Sequence, residues 1–408
     1  MKSLFLQFYK KYWCVLNYLS LLKQYPLIRK LSVLQFIAYF GAWFSSVAIY
    51  TMLVDFSSSA FVISMVTVMH LLPAVVIAPF SGVIIDKFKI KNLLFSLLLI
   101  ELCMTLLLLL IDEPSQIWLL MVIVFIRMTA ASIFFSAEMS LLPKLVRGIA
   151  LQKANEIHSI IWSFTYAVGM GLSGLVVNYF GIKTAIILDA SVFVIALVYF
   201  SGIDFKIEVE EHKEKFFAMI KDGLLYIKKS KMVIHLIILH ASVGLTSFDT
   251  LITLLAKNEY KYVIAVPLAL GISNAVRALA LMIGPFFISK YLNKESLVYL
   301  FIFQGSAIIL WAVFQNNFYF SLVTLFFVGL CTTSIWSYTY ALLQEKVERK
   351  YLGRVISYND MVFMLSNVCT TLFVGLMSSY LSLQIISGIL GAMFFVVAYY
   401  YKFLVKHL

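Results

Sequence analysis

Residues 31–87 read LSVLQFIAYFGAWFSSVAIYTMLVDFSSSAFVISMVTVMHLLPAVVIAPFSGVIIDK. The polar break Asp55-Phe56-Ser57-Ser58-Ser59 divides the stretch into two apolar runs, 31–54 and 60–85. A run of ~20 apolar residues is the length that crosses a bilayer as a helix. A helix also satisfies its own backbone hydrogen bonds where no water is present to do so. The stretch therefore predicts a pair of membrane-crossing helices joined by a short turn.

The same pattern continues outward from this pair. Further runs lie at roughly 91–111, 116–140, 154–179 and 182–201, and then at 233–256, 263–289, 296–314, 318–344, 354–379 and 382–404. Twelve spans result, six on each side of a charged break at 202–232. The fold class is an all-α membrane protein of two six-helix bundles. Expected units are an amphipathic segment 1–30, a bundle 31–201, a linker 202–232 and a bundle with a short tail 233–408. Two halves of near-equal length predict parallel repeats with a substrate site between them, near the bilayer midplane.

Composition agrees with a lipid environment. Hydrophobic residues make up 62% of the chain and charged residues 13%, against ~25% charged in soluble proteins. The net charge of +12 would suit a nucleic-acid partner, but its placement argues against one. Of 32 Lys and Arg, Lys183, Lys257 and Lys261 lie on one side of the proposed topology. Arg127 and Arg277 lie within spans, and the remaining 27 share the side of both termini. By the positive-inside rule that side is cytoplasmic. The expected location is a bacterial cytoplasmic membrane, with both termini inside the cell.

Cys14, Cys103, Cys331 and Cys369 form no CxxC pair, and the last three lie in apolar runs. They read as small buried hydrophobes, and no metal or cofactor is implied. Residues 1–30 mix Lys and Arg with aromatics and carry no small-residue cleavage site after a compact apolar core. They predict an amphipathic helix at the membrane interface. In the linker, FFAMIKDGLLYIKK has apolar residues at helical spacing and predicts a surface helix.

One loop carries a motif, Gly82-Val-Ile-Ile-Asp86-Lys87-Phe88-Lys89-Ile90-Lys91. Glycine permits close packing of two helices. Asp86 at a span end can accept hydrogen bonds from a helix N-terminus or meet a neighbouring cation. Lys87 and Lys91 suit an anionic membrane surface. The segment resembles the G-x-x-x-D-R-x-x-R-[KR] loop of the major facilitator superfamily, with Lys87 and Lys89 where that family has Arg. Lys lacks the bidentate fork of Arg. In that resemblance Gly82, Asp86, Lys87 and Lys91 form a conformational latch.

Further segments resemble the macrolide-efflux and enterobactin-exporter branch of the superfamily. They are the opening stretch 31–87, FIRMTAASIFFSAEMSLLPKLVRGIALQKANEI, GIKTAIILDASVFVIAL and LLQEKVERKYLGRVISYNDM. The resemblance implies twelve helices and export by alternating access. Two positions depart from it. Gly41-Ala42-Trp43 stands where the branch has Gly-Asp before an aromatic. Gly169-Met-Gly171-Leu-Ser-Gly174 lacks the proline of the antiporter pattern.

Charges inside spans are costly and mark functional or structural partners. Arg277 in span eight and Asp249 in span seven are expected cavity residues, paired across adjacent helices or tied structurally. Asn274 lies one turn from Arg277. Arg127 in span four resembles the family's Arg there, which is implicated in proton transfer in related antiporters; it reads either as such a group or as a structural tie. Glu101 in span three is its expected partner. Asp189 in span six is read either as a proton-exchanging acid or as a structural tie. Glu138, Glu156, Glu345 and Asp360 are placed near cytoplasmic span ends. His70, His158, His235 and His240 lack ligand spacing and read as polar packing. Tyr39, Trp43, Tyr50, Trp336 and Tyr340 offer aromatic surface to a bulky substrate.

No P-loop, GxSxG or HExxH motif occurs, so neither ATP-driven transport nor an enzyme is expected. The expected function is a monomeric, proton-coupled exporter of a bulky amphiphile, with membrane lipids as its surroundings. Alternatives are an exporter or flippase of an endogenous molecule such as a siderophore or lysophospholipid, an uptake carrier, or a transport-dead sensor.

Overall fold

A computed structural model describes residues 18–147, 149–203, 216–288, 291–348 and 350–407. Among the described residues, twelve helical segments are long and apolar enough to cross a membrane, and no strand occurs. The first six crossings are α1 (Pro26–Asp55), α2 (Ala60–Lys87), α3 (Ile90–Leu107), α4 (Ile117–Leu145), α5 (Ile149–Phe180) and α6 (Ile182–Ser201). A linker helix, α7 (Phe216–Lys229), precedes the second six. These begin with α8 (Lys231–Ala241) and α9 (Asp249–Asn258), which together make one crossing. They continue with α10 (Val266–Ile288), α11 (Leu297–Phe314), α12 (Phe318–Lys346), α13 (Leu352–Met377) and α14 (Leu383–Leu404). An even number of crossings puts both chain ends on one side of the molecule, the terminal side; the other is called the far side.

Short polar breaks start the helices by capping them. The side chain of Ser59 accepts from Val62 N at the start of α2, and that of Ser382 from Ile385 N at the start of α14, both at 3.3 Å. Asn317 accepts from Tyr319 N and Phe320 N at 3.1 and 3.2 Å. Each satisfies donors that the first helical turn leaves open.

Several helices run past their apolar runs. Pro26 pre-sets the first turn of α1, so the helix begins there rather than at Leu31. Its buried Ile28 packs with Leu21, Leu142 and Ala154. Residues 1–17 of the predicted amphipathic segment lie outside the described residues. Its last part, 18–24, is helical and is tied to α5 by the Tyr18 hydroxyl donating to Glu156.

The first and seventh crossings are the most buried and stand at the centre of the molecule. Lipid-facing positions stay apolar, as with Val198, Phe286 and Phe320. The linker helix docks on the second bundle. Asp222 pairs with Arg354 at 3.1 Å, and Tyr226 stacks on Tyr351 at 4.4 Å.

The two bundles meet chiefly through α5 with α10 and α2 with α13. Many of their tightest contacts lie toward the far side. A Cβ at Gly174 would sit 2.6 Å from the Pro267 carbonyl, and one at Gly271 2.9 Å from Gly174 Cα. A Cβ at Gly375 would sit 2.0 Å from Ser64 Oγ. Lys257 Nζ donates to the Ser58 carbonyl at 2.6 Å, and Thr250 to Thr67 at 3.1 Å. Such approaches need residues without side-chain bulk.

Candidate functional site

The seventh crossing is not one continuous helix. After α8 the chain tightens into a 3-10 turn, Ser242–Thr246, passes Ser247 and Phe248, and re-enters α-helix at Asp249. Asp249 is therefore the first residue of α9, where free amides and the helix dipole favour an anion. The break also exposes a carbonyl, and Arg277 Nη2 donates to it, at Thr246 O, over 2.7 Å. Arg277 lies over the Phe248 ring at 5.5 Å. Its Nη1 stands 3.8 Å from Asp249 Oδ1. The two side chains are 11% and 26% exposed, so this pair is loose and within reach of solvent.

Residues from the first bundle complete the site. Asn274, one turn before Arg277, accepts from the Tyr166 hydroxyl of α5 at 3.3 Å. Tyr166 lies against Trp43 at 4.6 Å and Trp162 at 5.7 Å. Of the aromatics expected in the cavity, Trp43 is thus brought to the junction of the bundles, beside Asn274 and Arg277. Tyr50 is buried and stacks on His70 at 5.8 Å. Tyr39 instead lies within the first bundle, stacked on Phe135 at 6.2 Å with the His158 ring edge-on at 5.7 Å. Trp336 and Tyr340 stack on each other at 5.0 Å around His240, within the second bundle. The expected aromatic surface is therefore distributed over separate clusters.

The second ion pair has the opposite character. Arg127 and Asp189 meet at 2.9 Å with side chains 3% and 0% exposed. Arg127 also donates to the Gly41 carbonyl at 3.1 Å and to Ser45 Oγ. Its guanidinium lies 5.6 Å over Phe193. The expected pairing with Glu101 does not form. Glu101 is buried on α3, and the arginine turns to α6 because Asp189 and the α1 acceptors lie on its own side. Spacing along one sequence gives no helix rotation, so the choice between the two acids was not readable from it.

Lys87 and Lys91 of the expected latch are exposed at the terminal end of α2 and the start of α3. The surroundings of Gly82 and Asp86 lie outside the described residues. Sequence reasoning missed the break in the seventh crossing. Its signal was present in Ala241-Ser-Val-Gly-Leu-Thr-Ser-Phe-Asp249, where Ser, Thr and Gly compete with helix. Glu138, expected near the end of its span, lies two turns inside the terminal end of α4 and is buried there.

The family model of the Major Facilitator Superfamily matches residues 31–305. The chain belongs to this superfamily. Among curated relatives, macrolide efflux protein A of Streptococcus pyogenes is 23% identical over 331 residues, covering 78% of this chain and 81% of the relative. The MFS-type transporter YkuC of Bacillus subtilis is 25% identical over 340 residues, covering 79% and 78%. Among solved structures, the nucleoside transporter NupG superposes with a TM-score of 0.69 at 17% identity, covering 93% of this chain and 99% of that one. The POT family transporter PepTSo gives 0.67 at 12% identity, covering 94% and 98%. These two show the fold. Within the superfamily this chain is a multi-pass membrane transporter.

Proposed function

We propose that this chain exports a bulky amphiphilic compound across a bacterial cytoplasmic membrane, driven by the proton gradient. The observation that carries the reading is the Asp249–Arg277 pair. It sits at a broken crossing, beside the residues that join the two bundles, and is loosely held and partly exposed. Broken helices with free backbone groups are where transporters of this kind build their substrate and coupling sites. An acid whose cation is only 3.8 Å away and has a second acceptor in Thr246 can lose that partner through a small displacement. Taking up a proton when the partner leaves, and releasing it when the partner returns, is one way to couple the two movements.

The relatives named for macrolide efflux support export, and Trp43, Tyr166 and Trp162 would supply apolar faces to a large substrate. With the far side external, the inter-bundle contacts there describe an inward-facing conformation, and rocking of the bundles about the site would expose it to the outside. Gly82, Asp86, Lys87 and Lys91 would form the cytoplasmic latch of the other conformation. Export or flipping of an endogenous amphiphile uses the same geometry and is the second reading.

The test is accumulation of amphiphilic substrates in inverted vesicles, with and without a protonophore, and with a sodium control. Accumulation that collapses with the protonophore is expected. Transport indifferent to it removes proton coupling.

A further inference from the structure

We propose that Glu138 is a second proton-binding acid of the transport cycle, placed in the first bundle. The proposal deepens the proton-driven reading above and rests on it for its role in transport. Glu138 lies two turns inside the terminal end of α4 and is 4% exposed. Neither of its carboxyl oxygens has a hydrogen-bond partner. No ion pair reaches it either: Arg127 on the same helix is committed to Asp189, Ser45 and Gly41.

Polar groups on three neighbouring helices of the first bundle bear on Glu138. From α1 comes the buried Tyr39 hydroxyl, which likewise has no partner at hydrogen-bond distance. On α5, His158 lies edge-on to Tyr39 at 5.7 Å and binds Gln35 through Nδ1 at 2.6 Å, which leaves Nε2 without a partner. On α3, Glu101 is a second buried acid of the same bundle. Unpartnered polar atoms from three helices thus collect in one buried region. Folded proteins leave few such atoms, and each asks for an occupant. A second buried acid in the bundle, and no cation paired with Glu138 among the described residues, make an ionised carboxylate there costly. A proton on Glu138 removes that charge and turns the group into a donor for the atoms around it.

The route for exchange is short. Phe135, one turn before Glu138, covers the region by packing on both Tyr39 and His158, the latter at 5.0 Å. Phe135 itself is 41% exposed. Rotation of Phe135 as the bundles rock would admit water, and the proton would pass from Glu138 to that water.

Infrared spectroscopy of the full-length protein in lipid reads this directly. Wild type is expected to show the carbonyl stretch of a protonated carboxyl, shifted by deuteration and lost as pH is raised. E138Q should lose that band, whereas D249N and D189N should keep it. E138D should restore a band at a shifted frequency, which separates proton binding from a purely structural role. An unchanged band in E138Q overturns the proposal, as does wild type without a protonated-carboxyl band at any pH. Loss of the band on adding sodium at constant pH also overturns it, assigning the site to a cation. In vesicles E138Q should keep counterflow and lose most protonophore-sensitive accumulation. A wild-type transporter indifferent to the protonophore would end the coupling reading while leaving the infrared result intact, so the two failures are distinguishable.

Discussion

Asp249 and Asp189 are both aspartates inside crossings, yet their surroundings separate them. Asp249 has a distant cation and partial exposure, while Asp189 has a close cation and none. Asp249→Asn is expected to abolish gradient-driven accumulation while leaving downhill exchange of substrate. Uptake into inverted vesicles, with counterflow as the control, checks this; full protonophore-sensitive accumulation in the variant would exclude Asp249 as a coupling group. Asp189 pairs with Arg127 of α4, which also bonds to Gly41 and Ser45 of α1. Removing one member of a buried pair strands the other charge, at a cost of about 3–5 kcal/mol. Arg127→Met should therefore lower the melting temperature in detergent and reduce the yield of inserted protein. The double variant Arg127→Met, Asp189→Leu should recover much of that loss, because no stranded charge remains. A double variant as unstable as the single one would show that the hydrogen bonds to Gly41 and Ser45 matter more than the charge.

The helices carry a second layer of information in their smallest residues. At the α2–α13 crossing, Gly375 admits Ser64 so closely that any Cβ must push the helices apart. Gly375→Val is expected to leave the protein inserted but to shift its population away from the conformation joined at the far side. A cysteine introduced at Ser58 should then react faster with a membrane-impermeant thiol reagent added from outside. Unchanged labelling would mean that the bundles do not part there. The α5–α10 crossing at Gly174 and Gly271 makes the same demand at the related position of the other helix pair. The seventh crossing departs from a simple helix for a different reason. Ser242 and Thr246 offer the backbone local hydrogen bonds, Ser242 Oγ to the Leu239 carbonyl at 2.6 Å and Thr246 Oγ1 to the Val243 carbonyl at 2.8 Å. The chain can then leave helical geometry where Arg277 satisfies a freed carbonyl.

At the scale of the whole molecule, the distribution of Lys and Arg predicts orientation. Reporter fusions at Glu211 and Lys346 should read cytoplasmic, and one at Glu113 external. An external reading at Glu211 would invert the topology and with it the direction assigned to the sealed end. Apolar run length made the twelve crossings and their order legible, because the bilayer imposes one length on every span. Arg127, Asp189, Asp249 and Arg277 stood out for a related reason: a charge in an apolar run is conspicuous. Their partners did not, since pairing depends on how each helix is rotated about its axis. Hydrophobic patterning marks that rotation weakly when lipid and protein core are both apolar. Arg127 chose Asp189 over Glu101 on that ground, and Glu138 passed for a span-end acid although α4 buries it. What the sequence determined by itself was the class of solvent, the number of spans and the two-bundle plan, which follow from length and polarity. What only the tertiary structure decided was which acids have a cation and which stand alone, because close packing of helices, not distance along the chain, sets those contacts.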